Sequence, residues 1–205
     1  LFLQPIFVFH FLVVRSPLLL LIFTCGILAL LAAIIHAKKV LSVEIIGSEQ
    51  EKSRFKFISG AIEEGAMAFL QSEYKYVGLF CGAFAIFMGF LLNTSHSPIH
   101  EGLYTSFSFI MGALTSSLAA FLGMIIATKG NVRTTIKARS SLSEAFQVAF
   151  SSGAVMGFGL CGLALLGLTL MALLYLKLIP NTHLAMEMVA GFGLGGSTVA
   201  LFGRV

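Results

Sequence analysis

Arg204 has the strongest claim to chemistry in this sequence. It closes an apolar stretch, LAMEMVAGFGLGGSTVALFGRV (184–205), 20 residues after the stretch begins, or about 30 Å along a helix. A charge at that depth is either a snorkelling arginine with its head at the membrane edge or part of an ion path that pairs it with a carboxylate. No acidic partner is expected within the first four apolar stretches. His96 and His100 stand four apart beside Glu101 as a formal metal pair. Pro98 between them opposes a common helix face, so a solvated loop is expected there. Gly191, Gly193 and Gly196 match G-x-G-x-x-G, a spacing that marks a dinucleotide site only between a strand and a helix. Here it falls in an apolar segment and reads as a helix-packing face.

The remaining chemistry is defined by what is missing. The chain contains no aspartate, and all nine acids are glutamate, most of them in expected loops or at helix ends. A metal–phosphate site needs convergent carboxylates. No such cluster, no P-loop and no Ser/His/Asp arrangement is legible, so the chain alone is expected to be inactive, with no catalytic, substrate-binding or metal residue of its own. Cys25, Cys81 and Cys161 each lie in a different apolar stretch and read as small apolar residues.

The elements that would position Arg204 are membrane helices. Hydrophobic residues make up 58% of the chain and charged residues 11%, against about 25% charged in a soluble domain. Five stretches, about 17–36, 76–92, 104–128, 145–176 and 184 onward, approach or exceed the roughly 20 apolar residues a span requires. The fold class is therefore all-α, a polytopic transmembrane bundle of about five helices. Residues 1–16 read as an unassigned N-terminal extension, too short for a span and set off by Arg15-Ser16-Pro17. Because the last span has no polar exit and the chain opens on Leu1, a fragment of a larger protein is expected.

Charge sets the orientation. Lys38, Lys39, Lys52, Arg54, Lys56 and Lys75 fall between spans one and two, and Lys129, Arg133, Lys137 and Arg139 between spans three and four. The positive-inside rule puts both segments in the cytosol, which accounts for the basic clusters without nucleic acid. Small residues four apart recur at Gly78/Gly82, Gly112/Ser116/Ala120, Gly153/Gly157 and Gly191/Gly195, a pattern that lets helices approach closely in lipid. Ser141-x-x-Glu144 has the form of a capping box for span four. The polar start of that span (Gln147, Ser151, Ser152) is expected in water or in a protein interior. Residues 60–75 place Ile62, Ala66, Phe69 and Leu70 on one stripe, an amphipathic extension of span two.

Four blocks carry a resemblance: GAIEEGAMAFLQSEYKYVG (60–78), FLGMIIATKGNVRTTIKAR (121–139), SGAVMGF (152–158) and GFGLGGSTVALFGRV (191–205). In order and spacing they resemble the first five transmembrane helices of the membrane-integral pyrophosphatases, which couple hydrolysis of inorganic pyrophosphate to transport of protons or sodium ions. The last block is the most specific, and residues 1–16 match nothing in that family.

The resemblance implies a parent of about sixteen helices acting as a homodimer, with residues 17–205 as helices one to five of its pump domain. It implies magnesium pyrophosphate bound in a cytosolic funnel of Asp, Lys and Glu, and potassium as an activator in one subfamily, to which the Phe-Gly-Arg ending is more similar. It implies that Arg204 is the helix-five arginine of the coupling region that gates the ion. The site would lie in a bacterial cytoplasmic (inner) membrane or an acidic organelle (vacuolar) membrane. Apart from the resemblance, a secondary transporter with glycine-interrupted helices and a non-catalytic membrane scaffold subunit also fit the pattern.

Overall fold

The computed structural model describes residues 4–92 and 100–203, with side chains from Leu19 onward. Five helices in chain order account for the fold: α1 (Gln4–Leu41), α2 (Glu49–Leu91), α3 (Glu101–Ala138), α4 (Leu142–Leu178) and α5 (Thr182–Phe202). All five are long and apolar enough to cross a membrane, and the protein is an all-α, multi-pass integral membrane protein.

The helices outrun the spans read from hydropathy. α2 has 43 residues and α3 has 38, about 65 and 57 Å at about 1.5 Å per residue. Each exceeds the roughly 30 Å hydrocarbon thickness, so each continues beyond the membrane. Lys129, Arg133 and Lys137, expected between spans, are thus helical, and only a short turn at Arg139–Ser141 joins α3 to α4. α1 also runs unbroken through Pro17. Proline removes one backbone hydrogen bond, but unwinding the apolar residues around it in lipid would expose several.

α3 is the central element, packing against α5, α4 and α2, while α1 packs mainly on α4. Its small residues explain why. A Cβ at Gly112 would overlap the carbonyl of Phe192, one at Gly195 would overlap the carbonyl of Phe109, and one at Gly191 would sit 2.5 Å from the Thr105 oxygen. The backbones of α3 and α5 therefore touch, which the absence of side chains alone permits. α1 and α4 cross in the same way, with Gly162 against Leu30 and the Gly26 carbonyl. Gly78, Gly82, Gly153 and Gly157, expected to act likewise, have no atom within 4 Å of a built Cβ among the described residues. These two pairs face outward.

Three apolar clusters sit at the contacts. Met171, Tyr175, Met188 and Phe192 join α4 to α5; Val77, Cys81, Phe109 and Val199 join α2, α3 and α5; Val40, Ile126 and Val148 join α1, α3 and α4. Many large apolar side chains elsewhere, Phe90 and Leu79 among them, are exposed. Lipid is a suitable neighbour for such surfaces, since it is as apolar as leucine.

Candidate functional site

α5 begins at a well-formed cap: Asn181 Oδ1 accepts from the backbone N–H groups of His183 (3.0 Å) and Leu184 (3.4 Å), satisfying donors that open every helix. The helix then runs against α3 along its glycine face and ends at Gly203, whose N–H donates to Leu201 and Val199 carbonyls. Arg204, the expected gating residue, lies outside the described residues. The structure does bring a carboxylate to the end of α5: Glu73 Oε1 stands 3.2 Å from a Cβ built on Gly203. Glu73 falls in the 60–75 stretch, outside its apolar stripe, and nothing local links it to a helix about 130 residues later.

Interhelical hydrogen bonds fix the bundle around α5. Ser108 Oγ donates to the Tyr175 hydroxyl at 3.0 Å, and that hydroxyl donates to the Tyr104 carbonyl at 2.6 Å. Ser106 Oγ donates to the Ala85 carbonyl at 2.7 Å, and the Tyr74 hydroxyl to the Ser117 carbonyl. Each bond closes a polar group that lipid could not satisfy.

At the basic end, charges are paired across elements. Arg139 binds Glu51 at 2.9 Å and Lys137 binds Glu144 at 2.8 Å. Glu51 also completes a capping box at the start of α2: its Oε2 accepts from Ser48 N–H at 3.0 Å, and Ser48 Oγ accepts from Glu51 N–H at 3.3 Å. The Ser48 N–H, followed by the Arg139 guanidinium, holds the Glu51 carboxyl below its ordinary value of 4.5. The box expected at Ser141/Glu144 is not made. Ser141 occupies the N-cap position without a side-chain bond, since Lys137 draws the Glu144 carboxylate away. Ser48-x-x-Glu51 has the same spacing and was legible in the sequence.

The polar start of α4 enters the protein interior at Ser151, which is 2% exposed, and Ser152 lies against Gly130 of α3. The glycines of G-x-G-x-x-G sit inside α5, and among the described residues the element before them is helix α4, not a strand. Of the histidine pair, His96 lies outside the described residues, and His100 is the exposed N-cap residue of α3, without a side-chain cap bond. Among the described residues no three His, Cys, Asp or Glu side chains come together. The described residues thus form a glycine-locked support for α5, with a paired ionic clasp at one end.

Comparison with known proteins gives this support a context. A family model described as inorganic H+ pyrophosphatase matches residues 27–205. A Clostridium tetani protein named "Putative K(+)-stimulated pyrophosphate-energized sodium pump" is 41% identical over 181 residues, 88% of this chain and 24% of that protein. Two proteins named "K(+)-insensitive pyrophosphate-energized proton pump" are also similar. The one from Caldanaerobacter subterraneus is 34% identical over 78% of this chain and 24% of its own length. The one from Methanosarcina mazei is 33% identical over 90% of this chain and 25% of its own length. The chain spans about a quarter of the length of these curated relatives.

Proposed function

This chain belongs to the inorganic H+ pyrophosphatase family, and from that premise we propose that it is part of a primary ion pump. The pump couples hydrolysis of inorganic pyrophosphate to two phosphates with translocation of protons or sodium ions across a membrane. Residues 17–205 are its first five transmembrane helices, and the working assembly is a homodimer. The observation that carries this reading is the family match over residues 27–205.

Moving one charge against 100 mV costs about 2.3 kcal/mol, so a pump needs a gate between the reaction and the ion path. Arg204 is that gate residue, a cation that would pair with carboxylates on other helices. The close seat of α5 on α3 through Gly112, Gly191 and Gly195 supports this role, since a gate works only on a helix that does not drift. Glu73, beside Gly203, adds negative charge at the same helix end.

Magnesium would neutralise the charge of pyrophosphate and activate the attacking water. The residues present do not make such a site. The sequence has no aspartate, and the described carboxylates do not converge. The magnesium pyrophosphate site therefore belongs to the part of the pump that this chain does not cover. Potassium is an activator of the same pump, a reading favoured by the Phe-Gly-Arg ending.

The test uses the longer protein that contains this chain, in sealed membrane vesicles with magnesium and pyrophosphate. Phosphate release accompanied by proton or sodium uptake is expected. Arg204→Ala should lower uptake at least about tenfold, equivalent to about 1.4 kcal/mol. Absence of pyrophosphate-dependent phosphate release rejects the pump, and unchanged uptake by the variant rejects the role of Arg204.

A further inference from the structure

Six serine or threonine side chains are buried among the described residues: Thr105, Ser106, Ser108, Thr128, Ser151 and Thr169. Five of them donate to a protein acceptor. Ser151 makes no hydrogen bond among the described residues, although the hydroxyl of its neighbour Ser152 takes the carbonyl one turn back, Val148, at 3.1 Å. A buried hydroxyl without a protein partner needs one from elsewhere. Ser151 lines a chamber of about 440 Å³ at the basic end of the bundle, together with Lys39 of α1, Lys137 of α3, and Glu144 and Gln147 of α4.

The chamber is closed on its apolar side. Val40, Ile126 and Val148 pack together there, and Ser152 lies so near Gly130 that a Cβ on that glycine would overlap it. Val40 and Val148 also line the chamber, so this cluster forms its floor. The apolar groove deeper between the same three helices shares no lining residue with it. The chamber thus has no apolar extension for a lipid tail, and its occupant comes from water.

The polar groups favour an anion. Lys137 holds the one lining carboxylate, Glu144, at 2.8 Å, whereas Lys39 makes no ion pair among the described residues. With the first pair neutralised, an ammonium, the Ser151 hydroxyl and the Gln147 amide are left to donate. α4 also begins beside the chamber, and its N-cap Ser141 makes no side-chain bond, so the positive end of that helix dipole adds to the field. Lysine is a point charge well suited to phosphate oxygens, and several donors around one space suit an anion with several acceptors. We infer that the chamber binds a phosphate-class oxyanion, with Lys39 as its counter-charge and Ser151 as its buried hydroxyl donor.

The longer protein that contains this chain is purified in detergent, with magnesium and pyrophosphate absent, so that no outcome depends on pump activity. Its lysines are acylated with an amine-reactive ester, and the rates at Lys38 and Lys39 are read by peptide mass spectrometry. Both lysines are exposed, but only Lys39 lines the chamber. At about ten times its half-protecting concentration, inorganic phosphate should slow Lys39 about tenfold and leave Lys38 unchanged. Ser151→Ala should raise the half-protecting concentration at least about tenfold, the effect of one hydrogen bond to a charged group. That variant breaks no protein hydrogen bond, so the fold tolerates it. Ser152→Ala, whose hydroxyl is already engaged, should leave the concentration as it is. Equal protection of both lysines, or equal protection by chloride at the same ionic strength, overturns the site, as does indifference to Ser151→Ala. Protection by phosphatidylglycerol micelles without protection by inorganic phosphate also overturns it and assigns the chamber to a lipid headgroup. A Lys39 that resists acylation without phosphate, beside a reactive Lys38, shows the chamber filled by protein and overturns it too.

Discussion

Arg139, at the end of α3, donates from Nη2 to Glu51 Oε1 at 2.9 Å, joining residues 88 apart in sequence. The same carboxylate caps α2 through Ser48, so one side chain both starts a helix and ties it to its neighbour. Both partners are partly exposed, so the pair adds little to global stability. Its effect is local, on the first turn of α2.

That arrangement has a pH dependence of definite sign. The folded Glu51 carboxyl lies below its ordinary value of 4.5, so its stabilisation is present above that value. It is lost as pH falls below 4.5 through the lowered value. The protection of the amides of residues 49–52 against hydrogen exchange, relative to the unstructured chain at the same pH, should therefore fall on acidification through this range. Glu51→Gln should show low protection already at neutral pH and lose its pH dependence. A variant that keeps the wild-type pH profile would refute the assignment.

Ser48→Ala separates the cap from the ion pair. It removes the acceptor for Glu51 N–H while leaving Arg139 in place. A loss of about 1 kcal/mol is expected, seen as fraying confined to the start of α2. Ser141→Ala, by contrast, should change little, because Ser141 makes no side-chain cap bond.

The contrast between those two serines shows where sequence reading stops. Both precede a glutamate by three residues, yet Lys137 captures Glu144 and nothing local announces that competition. The membrane helices themselves were legible because hydropathy is a local sum over about 20 residues. The glycine pairs were half legible. Gly112, Gly191 and Gly195 touch backbones, whereas Gly78 and Gly153 face outward, and spacing cannot say which face of a helix meets a neighbour. Glu73 reaching Gly203 depends on how α2 and α5 pack together, which no window of sequence contains. The site residue chosen from sequence, Arg204, lies beyond the described residues and stands as a proposal.

Within α5, neighbouring glycines should behave oppositely. Gly195→Val drives a side chain into the Phe109 carbonyl, and the obstacle is backbone. A loss of about 3 kcal/mol or more is expected, at or above the top of the usual range for overpacking. Gly193→Val meets no atom within 4 Å and should stay within about 0.5 kcal/mol. Thermal unfolding in detergent compares them directly, and equal losses would contradict the α3–α5 contact.

Tyr175→Phe removes a hydroxyl that accepts from Ser108 and donates to the Tyr104 carbonyl. Ser108 is fully buried, so its orphaned hydroxyl carries a desolvation cost. Interhelical hydrogen bonds in membranes average about 0.6 kcal/mol, and with the stranded partner a loss of about 1 kcal/mol is expected. Ser108→Ala in the Tyr175→Phe background should cost less than in the wild type, because the two hydroxyls act together. Strict additivity would show that they do not.

The basic residues at the α1–α2 and α3–α4 connections predict which end of the bundle faces the cytosol. Ser53 lies near the start of α2, and Asn181 caps α5 at the opposite end, both exposed. In a chain with Cys25, Cys81 and Cys161 replaced by alanine, Asn181→Cys should react with a membrane-impermeant maleimide on intact cells. Ser53→Cys should react only after permeabilisation. The positive-inside bias counts Lys and Arg in short segments near the helix ends, and six such residues between spans one and two outweigh Arg15 and Lys177 at the other end. The reversed labelling pattern would invert the bundle.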